Sequence, residues 1–450
     1  MIRSDKNRRL LLFIETVALI CMMLVVILFL AGVIPGSRHG KTTQTDQTKD
    51  LGSLSNEGYA LEQVVVLSRH NIRSPLSGPD SVLGEITPHK WFEWSSPASE
   101  LSVRGGVEEA GMGQYFRQWL EREKLFPENY QPAEDAVRIY ANSKQRTIAT
   151  AQYFTAGLLP TVNEDIEYRA AFDEMDPVFN PQLTFTSDAY DKAVQEQIAE
   201  YDDEIKALAD NYDLITDVTD MKESKAYKDG DVKDYRTDDT KVTLETGAEP
   251  AMEGSLKLAC SVADALVLQY YEEEDPVKAA FGHELNDKQW KDIGEIVGTY
   301  TEVLFGTSLI AANVAHPLLQ ELNSEMSADG RQFTFLCGHD SNVMSVLTAL
   351  GAEDWKLPAT VEKSTPIGCK LVFTKWKAAD GAVLWDVDLV YQTTEQLRDV
   401  EILTEKDHPA VVDIDLKELK QNKDGLYPEK EMRGRFADAI GAYDRIKQEY

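Results

Sequence analysis

Cysteine is scarce: four stand among 450 residues, at positions 21, 260, 337 and 369. Cys21 lies in an apolar N-terminal stretch, which leaves three for the folded part. No CxxC pair occurs and the spacing matches no zinc site, so a disulfide scaffold and a thiolate metal centre are excluded. Cys337 with Cys369 is a candidate disulfide, and buried free thiols are the simpler expectation. Positive charge is also in short supply, with 46 Lys and Arg against 77 Asp and Glu and a net charge of −31. Such a surface repels nucleic acid and anionic headgroups, so neither is expected as a partner. An anion-binding site in this chain has to be a local exception built from clustered arginines. The remaining composition, 43% hydrophobic and 27% charged, is that of an ordinary globular protein with room for two or three compact units.

Residues 16–34 (TVALICMMLVVILFLAGVI) form an uncharged apolar run of 19 residues. At about 1.5 Å per residue it spans a bilayer core of about 30 Å. Arg3, Lys6, Arg8 and Arg9 precede it and are expected to stay cytoplasmic. No small-residue cleavage site follows, and Cys21 after Ile20 does not suit lipidation. Residues 1–35 are therefore expected to be a basic tail and an uncleaved transmembrane signal anchor. That makes a single-pass protein of the cell membrane with the rest of the chain extracytoplasmic. The polar stretch 36–58 reads as a flexible tether.

Beyond the tether, residues 63–68 (QVVVLS) and 137–141 (VRIYA) have strand character. Ser102 is placed to cap a helix that runs to about residue 124, and a second helix is expected over 145–158. Strand followed by helix, repeated, points to an α/β core over 59–170. Residues 171–295 change character: helical stretches alternate with acidic ones, as in a mostly helical inserted cap with part of 199–250 a solvated loop. Strand character returns at 333–337, 370–376 and 384–391, so 296–450 is read as the second part of the core. The expected fold is a mixed central sheet flanked by helices, with a helical cap and one preceding transmembrane helix.

Three strand ends carry suggestive polar residues: Arg69-His70-Asn71-Ile72-Arg73-Ser74-Pro75, then NSKQRT at 142–147, then Gly338-His339-Asp340. Sites in α/β sheets form at the C-terminal edge, so the three can converge. Arginine forks match phosphate oxygens. A neutral imidazole can attack phosphorus and split phosphoryl transfer into two steps, and a carboxylic acid can protonate the leaving alkoxide. This chemistry requires no metal and no organic cofactor. Each element is weak by itself; the combination is what carries weight. The literal triplet Arg38-His39-Gly40 has no preceding strand and no following Arg-x-Pro, so its context excludes it.

RHNIRSP resembles the RHGxRxP signature of the histidine acid phosphatases, and GHDSN resembles their HD motif. SVLGEITPHKWFEW, ELSVRGGVEEAGMGQYFRQWL, YANSKQRTIATAQYFTAGLLP, MDPVFNP, TPIGCKLVF and VYQTTEQLR extend the resemblance, in order, over residues 61–400. The similarity is to the bacterial periplasmic glucose-1-phosphatase branch. It implies His70 as nucleophile, Asp340 as proton donor, and Arg69, Arg73, Arg146 and His339 as phosphate ligands. Asn71, where most of the superfamily has glycine, is typical of that branch. The branch also carries an acidic residue after its tyrosine pair that is associated with sugar-phosphate preference, and Glu272 in LQYYE occupies that place. Departures are the few cysteines, the apolar N-terminus, and the weak similarity over 199–250.

The expected partner is a small-molecule phosphomonoester, glucose-1-phosphate or a similar sugar monophosphate. Phytate and a broad range of phosphomonoesters are the alternative substrates. A non-catalytic phospho-ligand receptor is the alternative from another class; it predicts loss of the nucleophile or acid, and both are present. Asp340 has to carry a proton and His70 has to be neutral, so an acidic to near-neutral optimum is expected.

Overall fold

Alternating β-branched and aromatic residues, buried on both sides, make the strands of a central sheet. The computed structural model describes residues 51, 52, 54–78 and 81–450. The basic tail, the apolar run 16–34 and residues 36–50 and 53 of the tether lie outside the described residues. Among the described residues no helix is long and apolar enough to cross a membrane.

The strands are β1 (Tyr59–Arg69), β2 (Val137–Ala141), β3 (Ile166–Glu167), β4 (Lys241–Thr243), β5 (Ala251–Glu253), β6 (Phe333–Gly338), β7 (Lys370–Ala378), β8 (Val383–Tyr391), β9 (Ala410–Asp413) and β10 (Tyr427–Pro428). The main sheet has the order β10-β8-β7-β1-β6-β2-β3, with β9 also on β8. β1, β6, β2 and β3 run parallel, whereas β7 to β10 pair antiparallel. The sheet is mixed, as expected. β4 and β5 form a separate two-stranded ribbon.

The principal helices are α1 (Val103–Arg122), α2 (Gln145–Leu158), α3 (Ala209–Val218), α4 (Ser255–Glu272), α5 (Asp287–Thr301), α6 (His316–Met326), α7 (Asp340–Ala349) and α8 (Glu429–Glu449). Period-2 alternation along β1 assigns them to layers. Val64 and Val66 pack with Phe116, Trp119 and Phe154 of α1 and α2. Val65 and Leu67 pack on the other face with Leu318, Val343, Val346 and Phe436 of α6, α7 and α8. A third apolar cluster holds the helical part together, through residues such as Tyr212, Leu266 and Trp290. The acidic stretch read partly as solvated loop contains α3. Ile205, Leu208, Tyr212, Ile215 and Val218 recur at helical spacing and are all buried, an apolar stripe masked by the acidic residues between them.

Cys337 and Cys369 are buried free thiols, and Cys260 is a half-buried one. The Cys337–Cys369 disulfide does not form, because the two side chains belong to apolar clusters on opposite faces of the sheet.

α1 and α2 carry parts of the site and cross at bare backbone. A Cβ on Gly113 would sit 2.1 Å from the Phe154 carbonyl oxygen, and one on Gly157 would sit 2.1 Å from that of Ala110. Gly113→Val is expected to destabilise by about 3 kcal/mol through overpacking. Gly111→Ala, with open space around its Cβ position, is expected to stabilise by about 0.5–1 kcal/mol. Urea denaturation of the two variants checks the contrast.

Candidate active site

β6 lies between β1 and β2, and the register brings their C-terminal ends level. Arg69 pairs with Gly338 and Ala141 with Cys337. One step beyond, the His70 amide donates to the Gly338 carbonyl at 3.0 Å and the Asn142 amide to that of Cys337 at 2.9 Å. The three motifs thus leave the sheet side by side. His70, Arg73, Arg146, His339 and Asp340 line one cavity of about 360 Å³.

His70 is 3% exposed. Its Nδ1 lies 2.9 Å from the Asn71 carbonyl oxygen. A carbonyl only accepts, so Nδ1 holds the ring proton and Nε2 keeps its lone pair. Burial first, then the positive field of Arg146 and Arg73, pushes the imidazole well below the ordinary histidine range. His70 is therefore neutral in mild acid.

His339 lies beside it, the ring centroids 5.5 Å apart. The Asn142 Oδ1 accepts from the amides of Ser143 and Asp176, both at 2.8 Å, which turns its Nδ2 towards His339 Nε2 at 2.6 Å. Nε2 accepts, so neutral His339 carries its proton on Nδ1, 3.4 Å from Arg146 Nη2. Two donors facing each other call for an acceptor between them. Burial, then Arg146, depresses this imidazole as well.

The arginines are held from behind. Arg69 Nη1 donates to Glu362 Oε1 at 2.8 Å and to the Thr365 carbonyl at 2.6 Å, while Nη2 lies 3.6 Å from Asp340 Oδ2. Arg73 pairs with Asp264 of α4 at 3.2 Å. Arg146, at the start of α2, donates to Ser99 Oγ at 3.1 Å, and burial followed by Arg73 pushes it down to about 10. The Nε–H groups of Arg69, Arg73 and Arg146 are all buried with no acceptor among the described residues. Asp340 opens α7 with its carboxyl about one-third exposed, the Oδ1 accepting from the Ser341 amide at 2.9 Å. Helix N-termini at α2 and α7 add positive potential. The arrangement can bind a tetrahedral anion against an unprotonated imidazole nitrogen, with a carboxyl at the cavity mouth.

Glu272 is not brought to this cavity. It ends α4 with its carboxylate 3.7 Å from Arg104, and burial raises its pKa. A carboxyl that motif reading passed over is there instead: Glu249, raised by burial and by Asp340, lines the cavity with Asp264 and Tyr300. Its only local signal was the following Pro250, which says nothing of a site. Arg146→Ala removes one fork and its charge, and is expected to weaken inorganic phosphate binding about 10- to 100-fold in calorimetry.

A sequence model of the histidine phosphatase superfamily (branch 2) matches residues 60–404. The glucose-1-phosphatase of Salmonella typhimurium is 37% identical over 380 residues, 83% of this chain and 91% of that protein. The glucose-1-phosphatase of Providencia rettgeri is 36% identical over 386 residues, with the same coverage. Among solved structures, Hafnia alvei phytase superposes with a TM-score of 0.78 at 26% identity, over 86% of this chain and 98% of that one. With its strand-end histidines, arginines and aspartate gathered at one cavity, the chain belongs to branch 2 of the histidine phosphatase superfamily.

Proposed function

We propose that this protein hydrolyses phosphomonoesters through a phosphohistidine, with sugar monophosphates such as glucose-1-phosphate as its preferred substrates. The observation that carries the reading is the gathering of Arg73, Arg146, His339 and Asp340 around one cavity with a neutral, Nδ1-protonated His70, Arg69 standing behind them against Asp340. In this scheme His70 Nε2 attacks phosphorus, a P–N bond forms, and the P–O bond to the leaving group breaks. Asp340 gives its proton to the departing alkoxide. It then takes one from a water that attacks phosphorus and releases His70. The arginines and His339 Nδ1–H hold the equatorial oxygens as charge develops.

Selectivity is proposed to lie with Glu249 and Asp264, in place of Glu272. Carboxylates around the leaving group accept hydrogen bonds from sugar hydroxyls and repel further phosphates. Phytate hydrolysis is the second reading, favoured by the likeness to Hafnia alvei phytase, solved also with myo-inositol hexakis sulphate. We also propose a surface location, with residues 16–34 as a membrane anchor; the family match begins only at residue 60.

Turnover of glucose-1-phosphate and phytate between pH 4 and 9 tests the reading. Glucose-1-phosphate is expected to be preferred. His70→Ala is expected to lose about 10⁴-fold or more in kcat, and Asp340→Asn about 10²- to 10⁴-fold. Because the His70 pKa is depressed, the nucleophile stays neutral as pH falls below 6.5. Activity should therefore persist into acid, and a kcat that falls steeply as pH drops just below 6.5 contradicts the assignment. Glu249→Gln is expected to shift the phytate to glucose-1-phosphate ratio of kcat/KM upward about tenfold, the equivalent of about 1.4 kcal/mol. An unchanged ratio would remove Glu249 from the account.

A further inference from the structure

Two charged side chains take no part in this chemistry and lie directly behind it. Lys370 and Glu109 are both 0% exposed, with Nζ and Oε1 2.9 Å apart. A buried ion pair contributes little net stability, because desolvation offsets its Coulomb attraction. Its placement is therefore better explained by what it holds, and each partner holds one side of His70.

Glu109 Oε2 accepts from Asn71 Nδ2 at 2.8 Å. The Asn71 Oδ1 accepts from the Ile72 amide at 2.8 Å, and the Asn71 amide donates to Thr150 Oγ1 at 3.1 Å. The carbonyl pinned by these bonds is the one that accepts from His70 Nδ1. On the other side, Lys370 Nζ donates to the Gly368 carbonyl at 2.6 Å, and the Gly368 amide donates to the His70 carbonyl at 3.0 Å. Gly368 has φ +68°, and a Cβ there would meet Asn71 Nδ2 at 2.8 Å, so side chain and loop fit only with glycine.

We infer that Asn71 and the Lys370–Glu109 pair form a positioning clamp for the nucleophile. The clamp presses the Asn71 carbonyl against His70 Nδ1, so the ring proton stays there and the Nε2 lone pair faces the phosphate site. Asn71, Glu109 and Lys370 are positioning residues that act through His70, and the inference rests on His70 being the nucleophile. A neutral imidazole released from such a bond redistributes its proton towards Nε2 and loses nucleophilicity at the atom that matters.

The test uses the full-length chain labelled with ¹⁵N at histidine, the His70 signal being the one lost in His70→Asn. Wild type is expected to show the Nδ1–H tautomer. Asn71→Ala is expected to show mixed tautomers and a 10- to 100-fold lower kcat on p-nitrophenyl phosphate, with KM and inorganic phosphate affinity within threefold. Glu109→Leu with Lys370→Met removes the clamp from beneath without touching the loop and is expected to do the same, which decides the matter if Asn71→Ala does not fold. Glu109→Gln with Lys370→Met keeps an acceptor for Asn71 but gives up the Lys370 bond to Gly368, and is expected to keep the Nδ1–H tautomer and to lose less in kcat than the Leu/Met pair. The clamp is overturned if the Leu/Met pair keeps both tautomer and kcat, or if the Gln/Met pair loses as much as the Leu/Met pair. Wild-type protein that cleaves no phosphomonoester overturns the phosphatase reading instead, and the tautomer comparison still tests the clamp.

Discussion

The parallel pairing of β6 between β1 and β2 is the constraint on which the site depends. A strand that arrives nearly two hundred residues after β2 must insert in register, because its neighbours are already buried on both faces. A slip of one residue would turn Leu336 into the cluster that holds Phe335 and exchange the two faces throughout. Correct register sets the backbone bonds from His70 to Gly338 and from Asn142 to Cys337. The packing of the core and the convergence of the motifs are thus one event. The three strand ends need no separate alignment once the apolar alternation is satisfied; the side chains they carry are then oriented by their own polar contacts.

The second requirement is to bury positive charge without leaving it stranded. Three guanidinium groups and two imidazoles meet in a chain with net charge −31. The imidazoles meet the cost by staying neutral, which is also the state in which one of them can attack. The arginines stay charged and are braced by carboxylates outside the anion position: Glu362 behind Arg69 and Asp264 beside Arg73. Tyr271 and the Ile367 amide both donate to Glu362, so that carboxylate is fixed before it meets the arginine. Bracing of this kind keeps the guanidinium groups charged and fixed in place before a phosphate arrives.

Legibility in the sequence followed from locality. His70, Arg146 and His339 each stand within a few residues of a β-branched or aromatic strand, so strand pattern and motif pointed to the same places. The mixed sheet could be read for the same reason. Glu249 could not, because its place at the cavity depends on how the ribbon β4–β5 and α4 fold over the sheet edge, which no local pattern encodes. Glu272 followed a recognisable tyrosine pair, yet the helix that positions Tyr271 towards Glu362 turns the next residue towards Arg104. Helical geometry separates neighbours by about 100°, so adjacency to a site residue says little. Glu109 was hidden for a related reason, since in GGVEEAG nothing distinguishes the carboxyl bound for the core from its neighbour.

The division of labour between the two parts of the fold follows from these facts. In the proposed scheme the sheet edge fixes the groups that meet the PO₃ unit, which is the same in every phosphomonoester, and backbone register gives it little freedom to vary. The helical part contributes Glu249, Asp264 and Tyr300 to the same cavity, on elements that are not strands of the main sheet. Those groups face whatever the phosphate is attached to. Asp264 belongs to both sets, because the carboxylate that braces Arg73 also lines the cavity. On the proposed reading a change there would alter phosphate affinity and leaving-group preference together, whereas Glu249 feels the phosphate ligands through the field of Arg146. The acidic character of the whole chain is thereby repeated inside the cavity, and on the proposed reading that is where a polyol carrying one phosphate is separated from a polyol carrying many.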